Sequence, residues 1–584
     1  MFVAQIEFKR IQTFLFSSSR LHDMVAANAL LAKTIRYDLV VAAIAIEKAI
    51  LPDKTLLCGN DSDALAELGI LSRDGGHFYA LFSSCSNAKR FIAEARTILI
   101  NNLAGLTVHT RIFNEACGAD DVPFETMTLP SLTPLTLFKK CEQSNIGVAE
   151  QKSKRTQDLE KKIKISQQTA LKNNYYKQLT TYKKAPDEDQ NIEATQEDTQ
   201  ANEDRIVADF ASAISTDFVS QGYTLPTSFD KLVDDDYLAV ISADGNNMGQ
   251  RFIAHRNKKE ETQSGTFSDK QRIAEAFFGS AREQLKSAVK QGIIATFKHL
   301  PLKSTMPFQV LMLGGDDLLL VCQAKYAFEL VKHIDSYLSS TPIADNKPLT
   351  MSFGVCIASH NLPFYRLHYA AEKLNASAKV KARGTPDTEV QPSCVDWQIV
   401  TQAWLDNPIN ARKQQQIKVT KINDSTETLL LSQKPYLLGE HKEFNDIMSL
   451  AAQFLPASHQ DATLPLGDPT AAEEAQHHIM SRAHVYQLMH TLPLGWRQTE
   501  LLINKMIARD KQHAELKVTD DNDSASPAPN TLCALFQALA KVDSNKAGYA
   551  FYPLQGASNY YTTKLGDVLE LVSLQYLSRE KEVS

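Results

Sequence analysis

Cysteine is scarce and scattered: eight residues in 584, from Cys58 to Cys533, with no two in a CxxC pair. That leaves neither a zinc knuckle nor a disulfide framework, and the thiols read as reduced core residues. An excess of one charge is missing too. Against 62 Lys and Arg stand 68 Asp and Glu, a formal net charge of -6, so the chain has no general attraction for phosphate backbones. The apolar stretch from Leu39 to Ile50 is too short to span a bilayer and is cut by Glu47 and Lys48. The first residues lack the basic, apolar and small-residue succession of a signal peptide, so a cytoplasmic location without membrane contact is expected. What is present is ordinary for globular chains, with 43% hydrophobic and 22% charged residues. The length exceeds what one core organises, so two or more domains are expected.

Periodicity predicts a strand at Phe2 to Phe8, a helix through Ile11 to Ile35, and short strands near Lys54 to Cys58 and His77 to Ser83. A helix at Asn87 to Ile100 and a strand at Leu106 to Phe113 follow. The order is βαββαβ. From Gln151 to Arg205 the chain is rich in Lys, Gln, Glu, Asp and Thr, basic through Lys184 and then acidic, which reads as a solvated linker, helical early. The basic run Lys152 to Lys184 reads as a solvated face rather than an RNA contact.

Beyond Tyr237 the alternation returns. A strand ends at Ala243, and a helix runs from Ser268 to about Gln291, with a capping box at Ser268 to Gln271. Strands Phe308 to Leu313 and Leu318 to Cys322, a helix Ala324 to Leu338, a strand Leu349 to Ile357 and a helix Phe364 to Lys381 complete a second βαββαβ unit. Each unit has a Gly-Gly pair at its central strands, Gly75-Gly76 and Gly314-Gly315, which suggests an internal duplication. The expected class is α+β, with two ferredoxin-like domains and a C-terminal helical region. The divisions are 1–115, a connecting region 116–235 with the charged linker 151–205, 236–400, and 401–584. Within the last, Thr519 to Asn530 reads as a loop.

The sharpest chemical signal is Leu311-Met312-Leu313-Gly314-Gly315-Asp316-Asp317-Leu318-Leu319-Leu320, two apolar runs meeting at a tight turn with adjacent carboxylates. Upstream, the buried-type strand Leu238 to Ala243 ends in Asp244-Gly245-Asn246-Asn247-Met248-Gly249. The first and third strands of a βαββαβ sheet are central neighbours, so Asp244 is expected to face the hairpin. Three converging carboxylates repel unless a hard cation neutralises them, and Mg²⁺ shared with phosphates and water does so with few protein ligands. Such a site can bind a nucleoside triphosphate and favour attack on its α-phosphate by a 3′-hydroxyl.

These motifs, with Thr350 to Val355 and Ala370 to Lys379, resemble the catalytic palm of the large subunit of type III CRISPR effector complexes, a relative of GGDEF diguanylate cyclases. The first unit resembles that subunit's other palm through Ile11 to Phe16, Arg20 to Met24 and Gly75-Gly76-His77-Phe78. There His77 and Phe78 replace the acidic pair, so that palm is expected to be non-catalytic. The resemblance implies synthesis of cyclic oligoadenylates from ATP with Mg²⁺ or Mn²⁺, alongside other CRISPR effector subunits with guide and target RNA. By position, Asp244, Asp316 and Asp317 hold metal and are catalytic. Gly245, Gly314 and Gly315 approach the triphosphate, Lys379 contacts phosphate, and Asn247 and Ser352 are nucleotide contacts.

The chain departs from the family in three places. Asn246 stands where a second acid is frequent, no HD nuclease motif precedes the first palm, and no zinc-binding cysteines lie between the palms. No single-stranded DNase activity is therefore expected, and a stand-alone or reduced system is indicated. Asn246 motivates a rival reading, a palm scaffold that binds nucleotide and RNA-protein partners without turnover; a cyclic dinucleotide synthase is a third. Trp397 reads as a packing residue, and His477, His478, His484 and His490 as solvated or capping histidines.

Overall fold

The computed structural model describes residues 1–48, 62–118, 122–128, 139–180, 217–260, 265–400, 407–454, 480–520 and 551–577, apart from short stretches within them, plus isolated positions such as Leu57 and Phe536. The first unit contains β1 (Phe2–Lys9), β2 (Ile70–Ser72), β3 (His77–Phe82), β4 (Thr107–Asn114) and β5 (Glu125–Thr128) in the order β2-β3-β1-β4-β5. The first four strands follow the ferredoxin-like plan, with β1 between its third and fourth partners. The second strand of the unit is Ile70–Ser72; the expected strand near Lys54, and Gly75, fall outside the described residues.

The second unit repeats the plan with β8 (Tyr237–Gly245), β9 (Phe308–Gly314), β10 (Asp317–Gln323) and β11 (Met351–Ser359). It is extended by β12 (Cys394–Val400) and β15 (Tyr436–Leu437) into the order β15-β12-β11-β8-β10-β9. Its strands are buried on both faces, and the two-residue side-chain period sorts them. Ala239, Ile241, Leu318 and Leu320 join one core with helices Phe267–Phe297 and Ala327–Ser340. Leu238, Val240, Leu319 and Val321 join another with helix Phe364–Arg383. Leu21 and Met24 of the first unit belong to this second core as well.

The capping of Phe267–Phe297 differs from the sequence reading. The N-cap is Thr266, whose Oγ1 accepts from the Asp269 amide at 3.2 Å. Ser268 donates instead to Glu115 of the first unit, so the tertiary contact wins over the local box.

Two regions are more structured than expected. Within 151–205, β6 (Gln151–Arg155) and β7 (Asp158–Ile165) form an antiparallel hairpin, followed by helix Gln167–Thr180. That helix is tied to the first unit by Lys172, 2% exposed, which donates to the Phe14 carbonyl at 2.7 Å and to Ser17 Oγ at 2.8 Å. Beyond Trp397, helices are joined by a four-stranded sheet of β13 (Ile417–Thr420), β14 (Thr426–Leu430), β16 (Tyr552–Pro553) and β17 (Tyr560–Thr562), in the order β13-β14-β17-β16. Its strands are two to five residues long, and its two antiparallel pairs are remote from each other along the chain, which hides them from periodicity. No helix among the described residues is long and apolar enough to cross a membrane.

Candidate active site

The backbone dictates the meeting of the acids. β10 runs antiparallel to β8 with Asp317 directly opposite Asp244, and Ser352 of β11 lies opposite Asp244 on its other side. Residues facing each other across a ladder share a face, so Asp244 and Asp317 emerge on the face covered by helix Phe364–Arg383. Asp316 sits in the two-residue turn between β9 and β10, whose first member, Gly315, has φ 60°. That conformation favours glycine as the first central residue of a tight hairpin. The turn closes on the end of β8, where the Gly245 amide donates to the Asp316 carbonyl at 3.0 Å. A Cβ at Gly245 would lie 2.8 Å from Asp316 Cβ and 2.7 Å from Met248 Cγ. Gly245 is thus required by protein packing.

Asp244, Asp316 and Asp317 each offer a carboxylate oxygen, and these oxygens all lie within 4.8 Å of one another. Among the described residues this is the one grouping of three or more His, Cys, Asp or Glu able to hold a metal ion. The crowding changes the acidity of Asp316 and Asp317. Withdrawal from water and then the negative charge of Asp244 push the Asp316 carboxyl up to about 6. The same causes, with the charges of Asp316 and Glu372 added, push Asp317 up to about 7. Asp317 as a whole residue is exposed, so the neighbouring charges are the firmer cause of its shift.

Lys379 reaches the triad from helix Phe364–Arg383 and donates to Asp244 Oδ2. The helix lies close to the sheet because β11 carries Gly354 where it crosses. A Cβ there would sit 2.1 Å from the Ala371 carbonyl oxygen and 2.3 Å from the Asn375 amide. The first unit also reaches this helix. Gln12 Nε2 donates to Glu372 Oε1 at 2.9 Å, and the Phe16 ring lies 4.6 Å from that of His368.

Of the other expected site residues, Gly314 and Gly315 lie at the open hairpin tip, with no atom within 4 Å of a built Cβ at either. Asn247 stands at φ 57° in the turn into helix Met248–Glu260, a helix the sequence reading missed. Ser352 is not available to a nucleotide: it is 0% exposed, and its hydroxyl donates to Asn246 Oδ1 at 2.8 Å. Asn246 is itself 2% exposed and donates through Nδ2 to the Pro392 carbonyl at 2.9 Å. The Asn246 side chain is thus committed to the protein interior. Neither pairing carries a sequence signal, because Ser352 and Pro392 are remote from Asn246 along the chain.

Among the described residues, the first unit has no matching triad. Phe78 stands opposite Ile6 and is fully buried, while His77 lies 3.5 Å from Glu7. His22 pairs with Asp23 at 3.0 Å, and Asp23 accepts from Ser18 and Gln143, so this pair ties a helix to the connecting region. Trp397 is fully buried and donates to Glu570 at 3.0 Å, as a packing residue should. Ser481 caps the helix beginning at Arg482 by accepting from the His484 amide, while His477 and His478 lie outside the described residues.

Residues 237–385 match the family model of the Cas10/Cmr2 second palm domain. The domain that holds the triad is therefore a Cas10-like palm. No curated protein matches the chain by sequence. Among solved structures, the chain is similar to Csm1 in T. onnurineus, at 13% identity and a TM-score of 0.39, covering 92% of this chain and 69% of that one. It is also similar to a Csm1-Csm4 cassette in complex with pppApApA, at 12% identity and a TM-score of 0.40, covering 98% and 69%. A Csm1-Csm4 cassette in complex with cA4 is similar at 12% identity and a TM-score of 0.38, covering 92% and 69%.

Proposed function

We propose that this chain is a metal-dependent nucleotidyltransferase that joins ATP into cyclic oligoadenylate second messengers in CRISPR-type antiviral defence. The observation that carries the reading is the meeting of Asp244, Asp316 and Asp317 at one strand end, inside the segment that matches the Cas10/Cmr2 second palm. The choice of ATP and of a cyclic product follows the palm family. So does the proposal that the chain works with other CRISPR effector subunits carrying guide and target RNA.

The donor set fits Mg²⁺ or Mn²⁺. Three hard oxygen donors lie within 4.8 Å of one another, and loss of water and then neighbouring negative charge push two of the carboxyls up to about 6 and about 7. When bound, the metal supplies neutralisation of triphosphate charge and activation of an attacking 3′-hydroxyl. Asp244 and Asp317 would hold it from the neighbouring strands β8 and β10 and Asp316 from the turn. Gly314 and Gly315, uncrowded at the hairpin tip, would line the triphosphate chain. Lys379, in contact with Asp244, would offer an ammonium to a phosphate of a nucleotide held there.

Labelled ATP and GTP, incubated with the purified protein and Mn²⁺ or Mg²⁺, with and without candidate CRISPR subunits and target RNA, test this reading. Cyclic products from ATP, abolished by Asp316→Ala with Asp317→Ala, are expected. Metal-dependent products containing GMP would make it a cyclic dinucleotide synthase. No metal-dependent product under any addition would leave a scaffold.

A further inference from the structure

The triad already carries a cation of the protein's own. Lys379 Nζ contacts Asp244 Oδ2 directly, and Lys379 is also the cation whose charge opposes the upward shifts of both Asp316 and Asp317. This ammonium comes from a helix rather than a loop, and the backbone of that helix is seated against β11 at Gly354. It therefore has a defined resting place. Its four-carbon stem gives the head freedom to swing without moving the helix.

A divalent ion and an ammonium in contact with one carboxylate oxygen repel each other, so each weakens the other's hold on it. We propose that Lys379 occupies Asp244 while the site lacks metal, that the entering divalent cation displaces it, and that a nucleotide phosphate then receives the released ammonium. Metal and nucleotide would thereby strengthen each other's binding, because the phosphate takes up the charge that the metal expels. The inference rests on reading the triad as the metal site. It adds a competitor residue, and with it a reason for metal to bind more weakly alone than together with nucleotide.

Mn²⁺ binding to the full chain, measured by calorimetry with the metal alone and again with a non-hydrolysable ATP analogue, tests it. Lys379→Met keeps the stem and helix propensity while removing the ammonium. This variant should bind Mn²⁺ about tenfold more tightly than wild type, since one charge-assisted hydrogen bond no longer competes. Lys381→Met removes the same charge from the same helix without the contact, and should stay within about twofold of wild type. The ATP analogue should tighten Mn²⁺ binding by a larger factor in wild type than in Lys379→Met. The proposal is overturned if Lys379→Met binds Mn²⁺ no more tightly than wild type, or if Lys381→Met gains as much. Asp316→Ala with Asp317→Ala separates the two levels: unchanged Mn²⁺ affinity in that variant would sink the triad as the metal site, whatever Lys379→Met does.

Discussion

Asp244 and Asp317 stand directly opposite one another on neighbouring strands of the second sheet, as register partners of β8 and β10. A one-residue slip in that pairing would send one of them to the opposite face. The apolar residues on either side, Val240 and Leu319 toward one core and Ile241 and Leu320 toward the other, make such a slip costly. The same burial that folds the sheet therefore positions the acids.

The acidity of the triad sets a pH dependence. With Asp316 raised to about 6 and Asp317 to about 7, both retain protons at pH values where an unfolded aspartate has lost them. Folded protein then binds more protons than unfolded protein, so this site's contribution to stability falls as pH rises from about 4 through about 7. A divalent cation needs the ionised forms. Mn²⁺ should bind weakly at pH 5.5, more tightly at pH 8, and raise the melting temperature more at the higher pH. Calorimetric titration across that range, with protons released on binding at the lower pH, is the check.

Asn246→Asp restores an acid at the position where the palm family often has one. In this fold Asn246 donates to the Pro392 carbonyl and accepts from Ser352. An aspartate would lose the donor and place a carboxylate beside a carbonyl oxygen in the interior. We expect a loss of about 1–3 kcal/mol in urea unfolding and no gain in Mn²⁺ affinity. Tighter metal binding without a stability loss would show that this side chain turns toward the triad.

Gly354→Ala would put a methyl 2.1 Å from the Ala371 carbonyl oxygen. Helix Phe364–Arg383 would have to move off the sheet, taking Lys379 from Asp244. A loss of about 3 kcal/mol is expected from overpacking, read in urea unfolding. An unfolding midpoint equal to wild type would contradict the close crossing.

Gln12 ties the first unit to the second palm by donating to Glu372, whose charge acts on Asp317. Gln12→Ala removes a partly solvated hydrogen bond, so global stability should change by about 1 kcal/mol or less. Nucleotide turnover should fall more than stability if the first unit helps hold this helix. Unchanged turnover would limit the contact to packing.

The four βαββαβ strands of the second unit and the approach of Asp244 to the hairpin were legible because their signals are local: apolar runs of strand length, a Gly-Asp turn, and an acid at the end of a buried strand. The burial of Ser352 was not, since it depends on Asn246, more than 100 residues away. Nor was the need for Gly354, which exists only once helix Phe364–Arg383 crosses β11. Helix Met248–Glu260 was missed because Arg251, His255, Arg256, Lys258 and Lys259 dilute its apolar face. The hairpin at 151–165 was obscured by its charge, which resembles that of a solvated linker.

The most direct measurement is anomalous diffraction from crystals of the full chain soaked with Mn²⁺ and a non-hydrolysable ATP analogue. Anomalous peaks within bonding distance of Asp244, Asp316 and Asp317 oxygens, beside the analogue's phosphates, are expected. Peaks elsewhere with the triad empty, or an analogue bound away from it, would contradict the assignment of these three acids as the metal and nucleotide site.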